Sequence, residues 1–159
     1  MTHLPTDTED RLELRALVEE YARAVDAKDV GAVVALFTED GRLLSHLMPG
    51  TEVDPLVRSG HDKLHKALDA GLAQYQLTTH VIGGQTLELE GNTASGTTVC
   101  LAHHVYEDPV GAGRRLLVMA IRYEDSYARV HGLWRFAERR LRLDWRDDRL
   151  LGDPPGAGS

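Results

Sequence analysis

The sequence predicts an α+β domain, cone-shaped, in which about three N-terminal helices close a pocket against a strongly curved, mixed or antiparallel sheet. Three observations carry this. Leu14, Leu17, Val18, Tyr21, Ala22 and Val25 recur at spacings of three and four, the period of a helix buried on one face. From residue 76 onward the period changes to two, as in strands. Two of those alternating stretches, 93–106 and 114–130, are too long to stay flat, and a bent sheet with helices over its open side encloses a cavity.

Taken in order, the first helix is expected over 8–27, starting at Thr8. Asp29 can cap a second short helix, Val30 to Phe37, apolar almost all round and therefore buried. Thr38-Glu39-Asp40-Gly41 reads as a turn and Arg42 to Leu47 as the first strand. Residues 48–59, with Pro49, Gly50, Pro55 and Ser59, read as loop. A third helix follows from His61 to Tyr75, with Leu64, Ala67, Leu68 and Leu72 inward. The strands are Gln76–Ile82, Gln85–Glu90, Thr93–Tyr106, Arg114–Val130 and Leu133–Trp145. They are joined at Gly83-Gly84, Gly91-Asn92, Asp108 to Gly113 and His131-Gly132. One domain is expected over 1–151, with 152–159 a flexible Pro- and Gly-rich tail.

The bulk numbers exclude several classes. A chain of 159 residues with 42% hydrophobic composition suits one domain with its own core. No stretch approaches the roughly 18 apolar residues of a membrane span, and the N-terminus lacks the pattern of a signal peptide. Cys100 is the only cysteine, so neither an internal disulfide nor a cysteine zinc site is expected, and the cytoplasm is the expected compartment. Net charge is −7 and the late arginines are interleaved with Glu138, Asp144, Asp147 and Asp148, which reads as a salt-bridged strand. Neither nucleic acid nor membrane is an expected partner. His61 and His65 lie four apart on a helix without an obvious third ligand, and no Gly-rich phosphate motif occurs. No metal and no cofactor are therefore expected.

Few residues can carry chemistry. Asp26 sits at the edge of the first helix's apolar face, in its last turn, where a carboxylate opposes the helix dipole by roughly 0.3–1 kcal/mol. It is either a half-exposed surface acid or a functional one. His80 shares a strand face with Gln76, Thr78 and Ile82, and is either a structural or a functional histidine. Of His103 and His104, only one can face inward. Alternation places Met119, Ile121 and Tyr123 on one inner face. Tyr21 lies five residues before Asp26, about 140° around the helix. Around Arg139, Trp134 and Phe136 suggest one buried face while Leu141, Leu143 and Trp145 suggest the other; a bulge near 137–140 would reconcile them.

Four motifs in order resemble SnoaL-like proteins of the nuclear transport factor 2-like superfamily. They are Tyr21-Ala22-Arg23-Ala24-Val25-Asp26-Ala27-Lys28-Asp29 with Ala35-Leu36-Phe37-Thr38-Glu39-Asp40-Gly41; Thr79-His80-Val81-Ile82-Gly83; Tyr123-Glu124-Asp125-Ser126-Tyr127; and Gly132-Leu133-Trp134-Arg135-Phe136 with Arg139. The likeness spans about residues 10–146. That superfamily holds scytalone dehydratase, hexachlorocyclohexane dehydrochlorinase, ketosteroid isomerase, polyketide cyclases and limonene epoxide hydrolase. It also holds the non-catalytic small subunits of ring-hydroxylating dioxygenases, so fold does not give reaction.

What the resemblance implies is specific. An Asp at the position of Asp26 orients a His at the position of His80 for proton abstraction. His104 becomes an acid or substrate-orienting group, with Thr98, Cys100 and Ala102 beside it on the inner face and His103 outside. Arg139 matches a pocket arginine that stabilises developing negative charge, and Tyr21 tunes pocket polarity. Val25, Thr78, Cys100, Met119, Ile121 and Tyr123 are the implied lining. The implied activity is a cofactor-independent lyase (dehydratase or other elimination), isomerase or cyclase acting on a small hydrophobic, aromatic or polyketide-like substrate, in a homodimer or homotrimer. The alternative is a non-catalytic ligand-binding or assembly module of the same shape. Epoxide opening ranks lower, because it needs paired carboxylates.

Overall fold

A computed structural model of the chain describes residues 6–49 and 53–152; Gly50 of the expected loop and residues 153–159 of the expected tail lie outside them. Helix α1 runs Asp7–Asp26. It starts at Thr6 rather than Thr8, because Thr6 completes a capping box: its hydroxyl accepts the Glu9 N–H at 3.3 Å while the Glu9 carboxylate accepts the Thr6 N–H at 2.7 Å. Asp10 in the first turn is buried and accepts hydrogen bonds from Trp134 Nε1 at 3.0 Å and from Arg129, which ties α1 to the sheet. Leu14, Val18, Tyr21 and Val25 form its buried face, as the periodicity predicts. Helix α2, Val30–Ala35, is capped by Asp29, which accepts from Ala32 N at 3.0 Å, and it ends before Phe37.

Strand β1 spans Phe37–His46 and takes in the expected turn at 38–41. Those residues fill an irregularity in pairing with the last strand, between Phe37 and Arg42. Gly41 is required there: a Cβ would come within 2.8 Å of Phe37 Cβ and 2.9 Å of Thr38 O. Within the expected loop lies a short edge strand, β2, Leu56–Ser59, antiparallel to β1. At four residues it is too short for periodicity to announce. Helix α3 covers His61–Ala73.

The remaining strands are β3 (Leu77–Glu90), β4 (Thr93–Glu107), β5 (Arg114–Val130) and β6 (Leu133–Leu150). Gly83-Gly84 is not a connection between two strands but a bulge within β3, set opposite Val99 between the Ile82–Cys100 and Gln85–Thr98 pairs. The β5–β6 turn, His131-Gly132, has both residues at positive φ, 50° and 80°, as a tight type I′ hairpin demands. No helix among the described residues is long and apolar enough to cross a membrane.

The six strands form one curved, unclosed sheet in the order β2-β1-β6-β5-β4-β3. All neighbours are antiparallel except β1 and β6. Two bulges bend β6. Ala137 is the extra residue between the Ser126–Glu138 and Tyr127–Phe136 pairs, and Asp144 between Ala120–Trp145 and Ile121–Leu143. The first is the expected bulge, and it lets Trp134 and Phe136 share a buried side with Leu143. The second turns Trp145 outward, so it is 53% exposed instead of joining the buried face. The helices pack into the concavity, and α1 lies against β3. The late arginines are mostly paired with acids across the outer face, as in Arg140–Glu138, Arg142–Glu124 and Arg149–Asp147.

Candidate active site

Packing of α1 on β3 brings the last residue of the helix against the second inward residue of the strand. His80 Nδ1 lies 2.6 Å from Asp26 Oδ1. Thr78 Oγ1 donates to the same oxygen at 2.9 Å, and the His80 backbone N–H donates to Oδ2 at 2.9 Å. Three donors thus converge on one carboxylate. They offset its unfavourable place at a helix C-terminus, since hydrogen bonds to a charged group are worth roughly 1.5–3 kcal/mol each. The His80 side chain is 6% exposed and that of Asp26 27%. A carboxylate can only accept, so Nδ1 carries the shared proton and Nε2 is the ring nitrogen left with a lone pair.

His104 stands on β4, directly opposite Thr78 in the ladder and therefore on the same face. Its ring is 5.7 Å from that of His80, edge-on, and 4.5 Å from that of Tyr75. Nδ1 is 3.4 Å from Leu117 O. Burial, reinforced by the nearby His80, pushes the His104 pKa down to about 4, so the ring is neutral near pH 7.

Both histidines line a cavity of about 420 Å³ between the helices and the sheet. That is within the roughly 300–1,000 Å³ of small-molecule sites. Val25, Leu68, Leu72, Met119 and Ile121 supply apolar walls, and Tyr21 and Tyr123 also line it. A shallow depression of about 570 Å³ on the opposite side of the sheet, around Glu88, Thr97 and Glu124, contains no histidine.

The structure brings most of the anticipated residues together. Tyr21, Val25, His80, His104, Met119, Ile121 and Tyr123 line the cavity. Thr78 does not; it is buried and serves Asp26. Thr98, Cys100 and Ala102 do point inward, but all three are fully buried in the core rather than in the cavity wall. Burial pushes the Cys100 thiol up to about 11. Arg139 is also fully buried and lies outside the lining. Its Nε and Nη2 each donate to Asp125 at 2.9 Å, and its guanidinium carbon sits 3.8–4.3 Å from the rings of Tyr21, Tyr123 and Phe136. The two tyrosines that stack on it are the ones at the cavity wall.

Several lining residues escape the sequence reading: Leu43, Ser45, Leu56 and Arg58 from β1 and β2, Tyr75 just after α3, and Leu141. The alternation of Leu43 and Ser45 along β1 was a usable signal; β2 gave none.

The SnoaL-like domain family matches residues 6–140. The chain belongs to that family. An uncharacterized protein of Mycobacterium bovis is 24% identical over 130 residues, 82% of either chain. Among solved structures, a type 2 hexachlorocyclohexane dehydrochlorinase superposes with a TM-score of 0.77 at 16% identity, covering 92% of this chain and 95% of that one. A Novosphingobium aromaticivorans protein named for scytalone dehydratase gives 0.72 at 22% identity, covering 94% and 95%. A Mycobacterium tuberculosis protein of unknown function gives 0.69 at 28% identity, covering 94% and 82%. The first two likenesses show that the chain shares the curved α+β fold of those proteins.

Proposed function

We propose that this SnoaL-like protein is a cofactor-independent lyase or isomerase that removes a proton from an activated carbon of a small hydrophobic, aromatic or polyketide-like substrate. One observation carries the reading: the 2.6 Å contact between Asp26 and His80 at the wall of a partly open, mostly apolar cavity. Asp26 holds the imidazole in the tautomer whose Nε2 can accept a proton, and it stabilises the imidazolium that results. In an elimination, the C–H electron pair becomes the new double bond. The leaving group departs with its own pair from the adjacent carbon, and a departing hydroxide takes the proton from the His80 imidazolium to leave as water, which restores the neutral base. In an isomerisation, His80 returns the proton to a different carbon. His104, neutral in its buried setting, orients a substrate hydroxyl or carbonyl beside His80. Arg139 acts through the tyrosines it stacks on rather than by contact with substrate.

The inward, shielded setting of His80 favours catalysis over a binding module, for which a solvent-facing histidine would be expected. No Asp or Glu among the described residues lines the cavity, which weighs against epoxide opening by paired carboxylates. Turnover is to be measured across a panel of hydroxylated aromatics and polyketide-like compounds with wild type, His80→Ala and Asp26→Asn, each checked for folding. Loss in both variants is expected; unchanged turnover in either rules out the dyad.

A further inference from the structure

We propose that the cavity binds a ligand carrying an anionic group, a carboxylate or a close equivalent, and that Arg58 is the residue that recognises it. The inference rests on the cavity being the substrate site. It concerns what that site selects rather than what it does to it.

The placement follows from register. In the antiparallel β1–β2 pair, Leu43 faces Arg58 and Ser45 faces Leu56. Residues directly opposite each other project to the same side of a sheet, and all four line the cavity. Arg58 sits on one edge strand of the sheet and His80 on the other, five strands away in the order β2-β1-β6-β5-β4-β3. Curvature brings the two edges round one cavity, so a ligand lying across it meets the histidines at one end and the guanidinium at the other.

The charge pattern is unusual. This chain has 25 acidic residues against 18 basic ones, and most inner and outer sheet arginines are taken up by them: Arg42 and Arg140 by Glu138, Arg142 by Glu124, Arg139 by Asp125. Arg58 is half-buried, and its one hydrogen bond among the described residues is from Nη1 to Val57 O at 3.2 Å. No carboxylate among the described residues lines its cavity. It is thus a fixed positive charge, partly desolvated, with most of its donors unused. A planar guanidinium in that setting matches a carboxylate with two parallel, charge-assisted bonds. The anion at Arg58 would fix which carbon is presented to His80.

The test uses 2-naphthoate and its uncharged amide, 2-naphthamide, as probes, titrated calorimetrically into wild type, Arg58→Gln and His80→Ala. Wild type is expected to prefer the carboxylate by roughly 10- to 100-fold, the equivalent of one strong charged hydrogen-bond pair. Arg58→Gln should bring the two probes within about twofold, mainly through lost affinity for the carboxylate. His80→Ala should keep the preference, which separates the arginine from any charge on the histidine. Equal affinities in wild type, failure of wild type to bind 2-naphthoate, or a preference that survives Arg58→Gln would each overturn the proposal. Intact discrimination in a protein whose His80→Ala variant loses no activity would overturn the proton-abstraction reading and leave this one standing.

Discussion

Replacing Asp125 by Asn removes the charge that holds Arg139 but leaves a side chain of nearly the same shape. Arg139 and Asp125 are both fully inaccessible, and two hydrogen bonds of 2.9 Å join them. Breaking a buried pair from one side typically costs about 3–5 kcal/mol, because the remaining charge stays desolvated. Part of that is retained here. The Asn carbonyl can still accept from Arg139, and the rings of Tyr21, Tyr123 and Phe136 still face the guanidinium at 3.8–4.3 Å. The Tyr127 hydroxyl, which donates to Asp125 Oδ2 at 3.0 Å, keeps a possible acceptor too. The low end, about 3 kcal/mol, is therefore expected, which for a chain of this size lowers Tm by about 6–12 °C. Urea unfolding followed by tryptophan fluorescence and circular dichroism reads it. The double variant Asp125→Leu with Arg139→Met removes both charges and should cost less than Asp125→Asn alone. An Asp125→Asn variant within about 1 kcal/mol of wild type, or a double variant worse than the single, would refute the account of Arg139 as a charge locked in the core.

Two further outcomes follow from the geometry. His104 has its pKa held at about 4 against an ordinary 6.5, so as pH falls the unfolded chain takes up the proton first. Stability should be undiminished above about pH 6.5, fall through the interval, and lose on the order of 3 kcal/mol by about pH 4. His104→Asn should flatten that part of a pH series of urea midpoints, and an unchanged slope would show that another group sets it. Gly96→Ala would place a Cβ 2.5 Å from Thr86 O and 2.8 Å from Leu87 Cδ2, a clash with backbone that cannot swing aside. A loss of roughly 1–3 kcal/mol is expected in thermal unfolding, and a neutral effect would mean that the β3–β4 ladder can shift.

What the sequence made legible was what is long and periodic. The inward face of α1, the hairpins of β4, β5 and β6, and the bulge at Ala137 all follow from patterns of apolar residues that only one packing satisfies. Gly83-Gly84 misled because paired glycines punctuate turns and bulges alike, and only the pairing partner Val99 decides between them. Strand β2 was missed because four residues carry no period, and its loss hid Arg58. Asp26 and His80 were identifiable one at a time, but their contact depends on the crossing of α1 over β3, a tertiary fact. Cys100 and Arg139 show the limit of alternation: it tells which side of a strand a residue faces, not whether cavity or solid core lies beyond.

The most direct measurement for the central claim is proton abstraction itself, free of any assumption about the natural substrate. Exchange of the activated α-protons of 2-tetralone, a bicyclic aromatic ketone, can be followed in deuterium oxide by proton NMR. The account predicts that wild type accelerates exchange over buffer and that folded His80→Ala loses about 10²–10⁴-fold of that acceleration. Asp26→Asn should fall in the same direction, because an amide can donate to Nδ1 and leave the proton on Nε2. Exchange by His80→Ala at the wild-type rate, or no acceleration by wild type, would contradict it.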